Sequence, residues 1–201
     1  MNLVLSNVPV VNLRTKFEEY LRIFRSPDFK QTIFNCGMSS AHLPNLSWHG
    51  LPNDLLTLML QRTVVGLECY VSSGAEYELS KRGCLTQDLE RQIRNPFLLD
   101  RSGVVAFYEK LPQLVDVSLG LRAQSSKIFD DLASFYKSVR NPIFHGGLLA
   151  FSGDNYDRVA SAFELFARVY DWINSWYTAP PEGWQHIGTP NNPARANACA
   201  Q

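Results

Sequence analysis

The sequence is short of everything that would mark it as basic, disulfide-stapled or membrane-embedded. Its 19 basic and 19 acidic side chains cancel to a net charge of zero, so no cationic excess exists to displace many counterions. That excludes bulk polyanion binding of the histone kind and leaves room for a local phosphate site. The four cysteines, Cys36, Cys69, Cys84 and Cys199, are scattered without a Cys-x-x-Cys pair, which makes no disulfide framework and suits a reducing compartment. The nearest metal-like grouping, Cys36, His42 and His49, falls in a loop-like stretch and is assigned no zinc; no cofactor is expected. No apolar run approaches the roughly 18–20 residues of a membrane helix. The N-terminal stretch lacks the charged lead of a signal peptide, and Pro9 interrupts its apolar run. The expectation is a cytoplasmic protein with no membrane partner. Strand-like alternation and internal repeats are also missing.

What is present is apolar and aromatic. Of 201 residues, 45% are hydrophobic and 12% aromatic, enough for one packed core and incompatible with global disorder. After a short apolar lead, Phe17, Tyr20, Leu21 and Phe24 recur at helical spacing over 12–25. Residues 26–53, with Pro27, Pro44 and Pro52, read as a long connection that is either functional or hides short helical turns. Leu56, Met59, Leu60, Thr63, Val64, Leu67 and Val71 stripe a helix over 54–72. Shorter helices follow at 86–94, from Thr86, and at 103–111, where Pro112 is expected to stop the chain; 113–122 is ambiguous. Phe129, Leu132, Phe135, Tyr136 and Val139 mark a helix from Ser125 or Ser126 to about 139, and a last one runs from Asp154 to about 177. The architecture expected is an all-α bundle over 54–177, preceded by an N-terminal segment (1–53) with one helix and a long loop. A Pro/Asn/Ala-rich tail, 178–201, reads as poorly ordered.

Chemistry concentrates in Arg140-Asn141-Pro142-Ile143-Phe144-His145-Gly146-Gly147, between two amphipathic helices. Pro142 disfavours a helical Asn141, so the preceding helix should end near Val139 or Arg140. Asn141 should then cap a new turn that Gly146 and Gly147 close. On an unbroken helix Arg140 and His145 would diverge by about 140°, since five steps of 100° leave that remainder. The expected break lets them converge. A guanidinium offers a permanent charge and a bidentate fork for phosphate, and an imidazole can move a proton near neutral pH. Together they suffice to cleave an RNA phosphodiester without a metal, through attack of the ribose 2′-OH.

This pattern, an Arg, a polar residue, three to five further residues and a His just before the last helix of a bundle, resembles that of ribonucleases in the HEPN superfamily. The resemblance covers about 125–177, with the helix at 54–72 as a bundle partner. It implies an up-and-down helical core and a symmetric homodimer whose two motifs meet in one cleft. It implies metal-independent endoribonuclease activity, in toxin–antitoxin, phage-defence or RNA-processing roles, with an antitoxin or defence partner. Catalytic roles carry over to Arg140 and His145, with Asn141 as the supporting polar residue. Gly147 stands where toxins silenced by tyrosine modification carry a Tyr, so that form of silencing is not expected.

Other residues invite plainer readings. Lys137, one turn before Arg140, is a candidate RNA contact or simply a surface cation. Glu68, an acid in a mostly apolar helix, is either solvated or positioned to orient Arg140. Trp172 and Trp176 suit a core or dimer contact. His145 also suits a plain turn, and Arg140 suits a helix C-terminus for its dipole alone. The alternatives to a nuclease are a HEPN-like module that binds nucleotide or RNA without cutting, and a helical interaction protein whose motif is accidental.

Overall fold

A computed structural model describes residues 13–40, 51–146 and 153–177, and within these the chain is all-α, with no strand. Expectations placed on 1–12, on His42 and His49, on Gly147 and on the tail from 178 lie outside the described residues. Helices α1 (Leu13–Arg25), α2 (Pro27–Ser40), α3 (Leu51–Lys81) and α4 (Gln87–Arg94) come first. A 3₁₀ turn (Pro96–Leu98) then leads to α5 (Gly103–Val105), a π-helical turn (Ala106–Lys110) and α6 (Leu111–Gln113). After a second 3₁₀ turn (Val117–Leu119) come α7 (Leu121–Gln124) and α8 (Ser126–Phe135). Another π turn (Tyr136–Arg140), α9 (Asn141–Phe144) and α10 (Gly153–Trp176) complete the order.

Helix α10 is the post on which the others lean, through aromatic side chains on several of its faces. Phe163 stacks on Phe24 of α1 (4.8 Å between centroids) and Tyr170 on Tyr70 of α3 (5.0 Å). Phe166 meets Phe135 of α8 edge-on at 5.0 Å, and Trp172 lies 6.4 Å from Tyr108. Rings bury much apolar area per residue and add directional contacts, which suits a small core to a bundle of short pieces. Two polar tips are tied down: the Tyr70 hydroxyl donates to Asn174 Oδ1 at 2.8 Å, and that of Tyr156 to the Phe24 carbonyl at 3.0 Å.

Several boundaries differ from expectation. Helix α2 occupies much of the stretch read as a connection, so the N-terminal region carries two described helices. Helix α3 runs on to Lys81 because the small and polar residues after Val71 are themselves buried. At Gly74 the end of α10 comes so close that a Cβ would sit 3.0 Å from the Tyr177 ring. The helix ends where Gly83 adopts a positive φ of 67° and Cys84 N–H reaches back to the Leu79 carbonyl, a Schellman motif. Thr86 and Ser125 do cap α4 and α8, accepting from Leu89 N–H and Ile128 N–H.

Neither Pro112 nor Pro142 stops its helix. Each is the second residue after a π turn, at the end of which the Leu111 or Asn141 N–H bonds five residues back, to Ala106 or Tyr136. An α-helical proline leaves the carbonyl four residues back without a donor and crowds it with its ring. The wider turn makes room for the ring without breaking the rod, so residues 126–144 are continuous.

Candidate functional site

The continuous rod decides where the motif points. Asn141 is helical (φ −63°, ψ −47°), and the expected break with Asn141 as a cap is not there. The π turn ends at Arg140, so the path from Arg140 to His145 runs through the α-helical turn Asn141–Phe144, along which ideal helix geometry separates the two side chains by about 140°. They make no hydrogen bond to each other. Arg140 turns inward. His145 is exposed at the end of α9, where its N–H is shared between the Asn141 and Pro142 carbonyls (3.1 and 3.2 Å). Gly146 closes the helix with φ +89°, as the glycine pair suggested.

Arg140 is held from several directions. Its Nη2 donates to Glu68 Oε1 at 3.2 Å, with the two side chains only 15% and 10% exposed. Its Cζ lies 4.3 Å from the Phe144 ring centroid and 5.3 Å from that of Tyr136, both within cation–π range. Nη1 reaches Asn141 Oδ1 at a long 3.5 Å, while Nε is buried without an acceptor among the described residues. Glu68, the acid in the apolar helix α3, is thus the group that orients Arg140.

The carboxylate has a second donor. Tyr136 OH donates to the same Glu68 oxygen at 2.7 Å, and Tyr108 OH lies 3.2 Å from Tyr136 OH. With one proton on each phenol, the order is Tyr108 to Tyr136 to Glu68, and Arg140 closes the chain from the other side. Burial pushes both phenols above their usual range, and Glu68 adds to the effect, so they stay neutral donors. Each tyrosine belongs to one of the two π turns, so the two proline-adjacent irregularities meet at this network. Gln61 fastens the rod to α3 by donating to the Ile143 carbonyl at 2.9 Å.

Periodicity marks Tyr136 only as one more apolar position, and Tyr108, Phe144 and Gln61 draw no notice as site residues. The one available signal is a tyrosine one helical turn before Arg140. Lys137 and Asn141 are exposed on the same rod. Trp172 is buried in the core. The open cavity bordered by Leu21, Arg22, Arg25 and Ser26 shares no lining residue with this network, and Arg25 there is engaged by Glu164 at 2.8 Å. Among the described residues no group of His, Cys, Asp and Glu is placed to hold a metal ion, and no helix is long and apolar enough to cross a membrane.

The arrangement therefore offers a pre-oriented, charge-balanced guanidinium and a solvent-facing imidazole at one helix end, directed to different sides. Comparisons with protein-family models, with curated proteins and with solved structures return no match for this chain, so the functional reading rests on its own residues.

Proposed function

We propose that the chain is a metal-independent endoribonuclease of the HEPN type, acting on cytoplasmic RNA in a toxin, phage-defence or RNA-processing role. One observation carries the reading: Arg140 is fixed by a carboxylate and two aromatic rings on a helix whose end exposes Asn141 and His145. Such anchoring prepays the ordering of a long side chain, which favours a phosphate-binding role. Because Arg140 and His145 diverge within one chain, one phosphate is gripped by both only when a second copy contributes. The reading therefore includes a symmetric dimer in which Arg140 of one protomer faces His145 of its partner.

In that cleft the 2′-oxygen attacks the adjacent phosphorus and loses its proton, while the bond from phosphorus to the 5′-oxygen breaks and that oxygen gains a proton. His145 moves a proton in this exchange, and Arg140 offsets the charge building on the phosphoryl oxygens. Asn141 supplies a neutral polar contact, and Lys137 a cation for a neighbouring phosphate.

The test is incubation of the purified protein with single-stranded RNA in excess chelator, with His145→Ala alongside. Wild type is expected to yield 2′,3′-cyclic phosphate ends. Since His145 is exposed, His145→Ala should fold normally and cut at least ~100-fold more slowly. An inert wild type, or undiminished cutting by the variant, contradicts the reading.

The Glu68 pairing favours a second reading. A carboxylate that neutralises Arg140 suits a module that binds RNA without cleaving it, with exposed Lys137 as its phosphate contact. RNA retained intact by wild type and released by Lys137→Ala identifies that case.

A further inference from the structure

We propose that Phe97 is a base-stacking platform for the single-stranded RNA whose phosphate meets Arg140, an inference that rests on RNA being what this site handles. Phe97 is the exception among the described phenylalanines. Phe24, Phe107, Phe129, Phe135, Phe163 and Phe166 are buried, and Phe29 and Phe144 pack against the core, whereas Phe97 is 46% exposed and its neighbour Leu98 50%.

The ring is held, not dangling. It sits in the 3₁₀ turn opened by buried Pro96, closed by Leu98 N–H on the Asn95 carbonyl and Leu99 N–H on the Pro96 carbonyl (2.9 Å each). Its edge meets Phe107 at 5.8 Å and 87°, an edge-to-face contact that fixes the plane. A rigid aromatic face costs little entropy to stack on.

Its position ties it to the Arg140 network. A Cβ built on Gly103 would lie 3.3 Å from Tyr136 Cε1 and 3.7 Å from Phe97 Cε1, so both rings border the same glycine. The Tyr136 ring also carries the Arg140 guanidinium, 5.3 Å from its centroid. Exposed aromatic and cation are therefore neighbours of one tyrosine. Lys137 follows that tyrosine and Arg101 lies in the turn before Gly103, both exposed, while Asp100 between Phe97 and Gly103 spends Oδ1 on Ser102 N–H at 2.7 Å. An exposed ring, with exposed cations next to Tyr136 and in the turn between Phe97 and Gly103, supplies the two ingredients that bind single strands without strong sequence preference: bases stack, phosphates meet charge. A second protein copy fits less well, because two apolar side chains fall far short of the roughly 800 Å² per partner of a stable interface.

The experiment uses a labelled 2′-O-methyl oligonucleotide, which cannot be cut, and fluorescence anisotropy on the full chain. Phe97→Ala should weaken binding by about 5- to 150-fold, the range of losing one base–aromatic stack. Phe97→Trp should restore it, Phe97→Leu should not, and abasic sites in the strand should erase the difference between wild type and Phe97→Ala. In cleavage assays Phe97→Ala should raise KM and leave kcat nearly unchanged. Wild-type binding matched by Phe97→Ala, or full rescue by Phe97→Leu, overturns the platform while leaving the nuclease reading standing. A changed oligomeric state with unchanged affinity assigns the ring to a protein contact instead and also overturns it. Wild type that binds but never cuts retires the nuclease reading and leaves the platform intact; wild type that binds no oligonucleotide removes both.

Discussion

Glu68 and Arg140 form an ion pair that is neither exposed nor sealed, at 10% and 15% exposure, and its worth follows from that intermediate place. A fully buried pair broken from one side costs about 3–5 kcal/mol, and an exposed one almost nothing. Glu68→Gln preserves an acceptor for Tyr136 but leaves the guanidinium without its countercharge; a loss of about 1–3 kcal/mol in denaturant unfolding is expected. Glu68→Gln combined with Arg140→Met should lose less than the two single variants together, a positive coupling of about 1 kcal/mol or more. Additive losses would show that the pair is geometric only. At this scale sequence reasoning reaches part of the site. A lone acid on an apolar helix and an Arg beside a polar motif can be matched by charge alone. The hydroxyls of Tyr108 and Tyr136 cannot, because hydropathy spacing reports that a tyrosine is inside and says nothing of where its oxygen points.

Among the elements, the π turns are what the sequence conceals. A proline in a helical pattern reads as a stop, and at both Pro112 and Pro142 the chain widens by one hydrogen-bond register and continues. Ser138, inside the second π turn, adds a back-bond to the Ser134 carbonyl at 2.7 Å, which competes with the regular ladder. Since the wide turn already accommodates the ring, Pro142→Ala should change stability by less than about 1 kcal/mol; a gain near the ~3 kcal/mol of a proline strained in an ordinary helix would contradict this account. Helix α3 outruns its apolar stripe for a related reason. Its second half buries small residues and acids, Ser72, Ser73, Ala75, Glu76 and Glu78, as well as Tyr70 and Leu79, and Gly74 marks where α10 approaches most closely. Gly74→Val, which must displace the Tyr177 and Trp176 rings, is expected to cost about 1–3 kcal/mol in thermal unfolding.

At the scale of the whole molecule, the aromatic core makes stability sensitive to alkali. Burial pushes the phenols of Tyr70, Tyr108, Tyr136, Tyr156 and Tyr177 above the ordinary range. A phenol whose folded pKa exceeds its unfolded value holds its proton more tightly in the native state, so its contribution is complete below pH ~10 and is lost above it. Denaturant midpoints should stay level up to that point and then fall, and the part of the phenolate absorbance that comes from these five tyrosines should rise together with unfolding, not ahead of it. The all-α class was legible because apolar positions recur at three and four along most of the chain. Where Arg140 and His145 point was not, because that depends on whether the helix breaks or stays straight at Pro142; the proposal that both act on one phosphate adds a second copy. Subunit mixing tests that claim most directly: Arg140→Ala and His145→Ala proteins, each expected to be inactive, are combined and assayed for cyclic-phosphate ends. Pairing across a dimer predicts recovery of about a quarter of wild-type activity, from the one intact pair in each mixed dimer. A mixture as inactive as its components, beside an active wild type, would contradict it.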